Sequence, residues 1–138
     1  MHTLKLPATI EHLSQWRQFI MQRAQAQGVS SKHLHRIELA LEEALVNVCH
    51  YAYPSAPGEV EVVCMVDAQQ RFIIEIVDRG IPFDPLSLPP PVFADDLTHR
   101  QVGGLGVFLI RHLADEVAYR REDGHNILQI VVSQPPVA

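Results

Sequence analysis

At 138 residues, 47% of them apolar, the chain can enclose one hydrophobic core and falls short of two ordinary domains. Eleven Lys and Arg against sixteen Asp and Glu leave a formal net charge of −5. That balance excludes general attraction to nucleic acid or to an anionic membrane surface, so any bound phosphate needs a local site. Cys49 and Cys64 lack CxxC spacing, Met1-His2-Thr3-Leu4-Lys5 lacks the apolar core of a signal peptide, and no apolar run approaches the roughly 20 residues that span a bilayer. The expectation is a soluble, cytoplasmic protein with reduced thiols and no direct nucleic-acid or membrane partner.

His2 to Leu6 alternates weakly and ends at Pro7, the pattern of a short edge strand. Ile10, Leu13, Trp16, Ile20 and Ala24 recur at helical spacing until Gly28, which predicts an amphipathic first helix. Ser30 or Ser31 then caps a second helix, whose apolar stripe of Leu34, Ile37, Leu41, Leu45 and Val48 runs to a boundary at Tyr51-Ala52-Tyr53-Pro54. At about 100° per residue, Glu43, Asn47 and His50 fall in a narrow arc away from that stripe, dividing the helix between core and site. Val60 to Val66 and Phe72 to Val77 read as an antiparallel hairpin around Asp67-Ala68-Gln69-Gln70-Arg71. Between Gly80 and Gln101 the chain carries Leu88-Pro89-Pro90-Pro91 and no clear period, as a long surface loop or lid would. A short helix from Leu105 to about Ala114 and a final hairpin, Glu116 to Arg121 and Ile127 to Val132 around Asp123-Gly124, complete a single domain. Two helices ahead of a hairpin imply an α/β (α+β) two-layer sandwich.

Three short stretches carry chemistry. Asp78 ends an apolar strand-like run within Asp78-Arg79-Gly80-Ile81-Pro82-Phe83-Asp84. An ionised Asp only accepts hydrogen bonds, so it suits the exocyclic amine of adenine, where guanine presents an oxygen. Gly80 would let a base approach the backbone closely or would permit a turn with positive φ; the plain alternative is an Asp-x-Gly turn after a strand. Gly103, Gly104, Leu105 and Gly106, directly before Val107-Phe108-Leu109-Ile110, would set backbone amides and a helix N-terminus against phosphate oxygens, or simply end a loop. No Lys followed by Ser or Thr comes after these glycines, so this is not a Walker A loop. Asn47 offers a neutral oxygen suited to Mg²⁺ arriving with nucleotide phosphates. Glu43, one turn earlier on the same helix face, is placed to orient or deprotonate a hydroxyl. Glu38 and Glu42 turn to other faces and read as solvated charge, and Arg100, late in the lid, is a candidate for the terminal phosphates.

In order and spacing these stretches resemble the GHKL ATPase superfamily and, within it, the anti-sigma factor serine/threonine-protein kinases. Glu43 to Asn47 is similar to the N box, Asp78-Arg79-Gly80 to the first glycine box and Gly103-Gly104-Leu105-Gly106 to the second. The resemblance implies a Bergerat fold, meaning a mixed, mostly antiparallel sheet with helices on one face. It also implies ATP and Mg²⁺ as cofactors, Asn47 as metal ligand, Glu43 as general base and a lid at about 80–102. Many members carry a histidine where this chain has Tyr51, which leaves His50, one position earlier, a doubtful catalyst. The implied partners are an anti-anti-sigma factor that accepts phosphate and a sigma factor held in the alternative state, with homodimerisation through the first helix or strand. A different class of function, an ATP-dependent binding module with little or no transfer, shares the same motifs. A nucleotide-free interaction domain would leave their conjunction unexplained.

Overall fold

In the computed structural model, which describes residues 1–84 and 116–132, five strands form one sheet in the order β1-β2-β3-β5-β4. They are β1 His2–Pro7, β2 Glu59–Val66, β3 Phe72–Asp78, β4 Glu116–Glu122 and β5 His125–Val132. All four pairings among them are antiparallel, so the expected mixed, mostly antiparallel sheet is antiparallel throughout the described residues. β1 lies at one edge, as its weak alternation and terminal proline predict.

Two helices cover one face, α1 Leu13–Ala26 and α2 Ser31–Tyr51. In α1 the fully buried residues are Trp16, Ile20 and Ala24, one per turn, and the helix gives way at Gly28 with φ 83°. Ile10 does not belong to it. It opens a short 3-10 turn, Ile10–His12, and stays 52% exposed, because the chain is still leaving the Pro7–Thr9 turn there. Ser30 rather than Ser31 caps α2, accepting a bond from the His33 amide at 3.2 Å.

The core is the meeting of two periods. Helix residues Leu34, Ile37, Leu41 and Leu45 pack with alternate strand residues Val60, Val62, Phe72, Ile74, Ile76, Leu128 and Ile130. Fully burying one such side chain contributes roughly 1.5–3 kcal/mol. The turns are chemically specified. Asp67 accepts from the amides of Gln69 and Arg71 at 3.0 and 2.8 Å and from Arg71 Nε at 2.7 Å, which closes the β2–β3 turn. Between β4 and β5, Asp123 and Gly124 both take positive φ, 51° and 77°, the geometry of a two-residue hairpin loop.

On the other face Glu75 is buried and accepts from Gln129 Nε2 at 3.0 Å and Arg120 Nη1 at 3.3 Å. Glu38, read from the sequence as solvated, instead links the helices. It lies 3.5 Å from Arg17 on α1 and 3.7 Å from His35 on α2, because its position on α2 faces the neighbouring helix.

Candidate functional site

The polar residues that the core encloses gather at one end of the sheet. Asp78 closes β3 at 5% exposure, Asn126 lies directly across from it on β5 at 4%, and Asn47 projects from α2 at 2%. All three line one small cavity of about 20 Å³, whose other walls include Ala44, Ile76, Phe83, Tyr119 and Leu128. That volume is about one water's worth, far less than a purine ring. Phe83 is the wall on the lid side, and its ring lies 5.9 Å from that of Tyr51 at the end of α2.

Asp78 is held by one oxygen. Its Oδ1 accepts from the Gly80 amide at 2.8 Å and from Asn126 Nδ2 at 2.8 Å, and its Oδ2 takes no hydrogen bond among the described residues. Burial pushes its carboxyl above the ordinary Asp value, against the opposing pull of those two bonds and of the Arg121 and His125 charges. Asn126 carries the rest of the network. Its amide also donates to the Ile81 carbonyl at 2.8 Å, while its oxygen accepts from Tyr119 Oη at 2.6 Å, Arg121 Nη1 at 3.1 Å and the Phe83 amide at 3.3 Å.

Of the two reasons the sequence suggests for glycine at Gly80, positive φ does not apply, and the structure supplies another. A Cβ there would fall well inside 3.0 Å of the Ala52 carbonyl, the group that also accepts from the Ile81 amide at 2.9 Å. Closeness to the end of α2, not turn geometry, excludes a side chain. Tyr53 fastens the same corner, its hydroxyl donating to the Glu59 carbonyl and accepting from the Arg79 amide at 2.8 Å.

Of the predicted residues, the structure brings Asn47 and Asp78 into one cavity and sets the Gly80 amide 2.8 Å from Asp78 Oδ1. Glu43 is half-buried one turn before Asn47 but does not line that cavity, and His50 is exposed. Arg100, Gly103, Gly104, Leu105 and Gly106, with the helix expected from Leu105 and the lid beyond residue 84, lie outside the described residues. Among the described residues no three His, Cys, Asp or Glu side chains converge to hold a metal.

A second cavity of about 640 Å³ opens beside the same strand end, lined from the opposite face of the sheet by residues including Lys5, Glu61, Val77, Arg79 and His125. It does not contain Asn47, and its mixed charges do not define a ligand. Sequence reasoning missed Asn126, Tyr119, Arg121 and Phe83. The signal for Asn126 was a lone amide heading the apolar run of β5, but its meaning depends on β5 lying next to β3, which no local pattern reveals.

No described helix is long and apolar enough to cross a membrane. The chain is similar to the serine-protein kinase RsbW of Bacillus cereus (strain G9842), 28% identical over 129 residues covering 91% of this chain and 80% of that protein. The RsbW of Bacillus thuringiensis (strain Al Hakam) is 27% identical over the same shares. In fold it is similar to the RsbU and RsbW domains of Rv1364c from Mycobacterium tuberculosis, with a TM-score of 0.64, 14% identity, and coverage of 96% of this chain and 32% of that one. It is also similar to the blue-light activated histidine kinase of Erythrobacter litoralis EL346, with a TM-score of 0.58, 19% identity and coverage of 89% and 41%. The chain thus spans less than half of either solved chain. The model for the histidine kinase-like ATPase domain matches residues 6–132, nearly the whole sequence, and the antiparallel sheet with helices on one face agrees with it. The chain belongs to the histidine kinase-like ATPase domain family.

Proposed function

We propose that this chain is an ATP-dependent serine/threonine-protein kinase of the cytoplasm that phosphorylates an anti-anti-sigma factor and, in its other state, withholds a sigma factor from transcription. The observation that carries the reading is the meeting of Asn47 and Asp78 in one buried cavity, with Glu43 one helical turn before Asn47. The likeness to proteins named serine-protein kinase over 91% of the chain supports the acceptor class.

In this reading Asp78 receives the adenine amine at Oδ2, which takes no hydrogen bond among the described residues, and a 6-oxo base meets oxygen against oxygen. Mg²⁺, when it enters with ATP, would be held by the Asn47 oxygen and would offset charge on the phosphates. Glu43 takes the proton of the acceptor hydroxyl as its oxygen bonds to the γ-phosphorus and the bond to the ADP oxygen breaks. Arg100 and the backbone of Gly103, Gly104, Leu105 and Gly106 are proposed to hold the phosphates, within one domain spanning 1–138 and a lid at about 80–102. Homodimerisation through α1 or β1 belongs to the same proposal.

Purified protein with labelled Mg-ATP and a small partner bearing an acceptor serine tests it. Label on the partner that vanishes in Glu43→Gln supports the kinase. One observation favours a second reading, an ATP-dependent binding module: Glu43 does not line the cavity that holds Asn47 and Asp78. Partner binding that depends on ATP, with no label transferred, would establish that module instead.

A further inference from the structure

We infer that a small cavity at the opposite end of the sheet from Asp78 is a binding site for a short-chain monocarboxylate, held by the guanidinium of Arg23. The site is independent of the nucleotide reading, and its residues belong to none of the three motifs.

The cavity holds about 120 Å³, and the residues that line it include His2, Arg23, Gln27, Cys64, Val66 and Phe72. Arg23 comes from the last turn of α1. The sheet register supplies the rest, setting His2 across from Cys64 and Val66 across from Phe72. Phe72 opens β3 and Asp78 closes it, so the length of that strand, roughly 20 Å, separates this cavity from the Asn47 and Asp78 site. Its volume has room for several water-sized groups but not for a nucleotide.

Arg23 Nε points to the ligand. The atom is buried and meets no acceptor among the described residues. A buried donor in that condition is costly and calls for a partner. A cation in the last turn does answer the carbonyls that end α1, but that role needs only the charge and would be served as well by a guanidinium lying in water.

An oxyanion is the partner that a guanidinium demands, and Nε with a neighbouring Nη forms the planar fork that matches a carboxylate. No Asp or Glu is among the described residues that line the cavity, so the acceptor comes from outside them. The floor specifies the rest of the ligand. Cys64 and Phe72 are 1% and 2% exposed, Val66 lies beside them, and burial keeps Cys64 a neutral thiol. Such a surface receives an alkyl chain of a few carbons and opposes a second charge. A phosphate dianion would also lie against the negative, carbonyl end of α1. With a net charge of −5 the protein has no general attraction for anions, so the hold is local to Arg23.

The experiment follows arginine Nε–H resonances of the full ¹⁵N-labelled chain during titration with sodium butyrate, sodium phosphate or sodium chloride at matched ionic strength. One Nε–H resonance, identified by its absence from Arg23→Gln, should move saturably with butyrate. The expected Kd is on the order of 1 mM, within what six non-hydrogen atoms can supply. Arg23→Lys, which keeps the charge and loses the fork, should bind butyrate at least about tenfold more weakly by calorimetry, the worth of one charge-assisted hydrogen bond. If no Nε–H resonance moves with butyrate beyond the chloride control, Arg23 Nε is satisfied by water alone and the inference is overturned. Phosphate moving the resonance at lower concentration than butyrate overturns the carboxylate assignment. Should Arg23→Gln fail to fold, the parent's response to butyrate against chloride and the Arg23→Lys affinity decide, and equal affinity in parent and Arg23→Lys contradicts a fork.

Discussion

Gly80 is wedged against Ala52, the residue that closes α2: the carbonyl that receives the Ile81 amide at 2.9 Å occupies the space a Gly80 Cβ would need. The obstacle is backbone, which cannot swing aside as a long side chain does. Gly80→Ala should therefore cost about 1–3 kcal/mol, the usual range for overpacking. Urea unfolding checks this. Nucleotide affinity should fall alongside stability, because the same corner carries Asp78.

Asp78 sets stability against binding. Burial raises its folded-state pKa above the unfolded value, so the folded chain keeps the proton to a higher pH than the unfolded chain does. The stability this supplies is complete below the unfolded pKa and is lost as pH rises through the folded one. Asp78→Asn, which carries no charge and keeps an oxygen for Gly80 and Asn126, should therefore gain stability relative to the parent at pH values above the folded pKa. Scanning calorimetry at a series of pH values should show the parent losing stability relative to the variant as pH rises above the ordinary Asp range.

Glu43→Gln separates binding from transfer. The substitution preserves shape and removes the base, so phosphorylation of a competent partner should drop by about 10²–10⁴-fold while ATP affinity stays near that of the parent. Parallel rate and titration measurements would show this. An unchanged rate would take the general-base role away from Glu43.

Both thiols should be poorly reactive in the folded protein, Cys64 the less reactive of the two. Burial pushes Cys64 up to about 12 and raises Cys49 as well, which leaves little thiolate at neutral pH. Iodoacetamide at pH 8 followed by mass spectrometry should find Cys64 unlabelled until urea unfolds the chain. Half-buried Cys49 should react slowly and first.

The elements were legible where one period dominates. The stripe Leu34, Ile37, Leu41, Leu45 announces α2, and Asp123-Gly124 announces the turn of the last hairpin, because each depends on neighbours in sequence. Asn47 and Asp78 were legible as chemistry because an amide on a helix and an acid at a strand end stand out against apolar surroundings. What could not be read is set by long-range pairing. Asn126 gains its role from lying across β3 and β5 from Asp78, and Gly80 gains its constraint from Ala52, 28 positions earlier by residue number. Ile10 was misassigned because helical spacing says nothing about where a preceding turn releases the chain.

The register Asp78↔Asn126 has a further consequence for how the protein matures. A strand's side chains alternate, so a one-residue slip of β5 would turn Asn126 away and present Ile127 or His125 to the acid. The slipped chain would leave the buried Asp78 carboxyl with the Gly80 amide but without the Asn126 amide, a polar penalty added to the loss of apolar pairing. The polar pair thus adds to the register specificity of the two central strands, so a chain that zips them incorrectly would be less stable at the very corner where the proposed site lies.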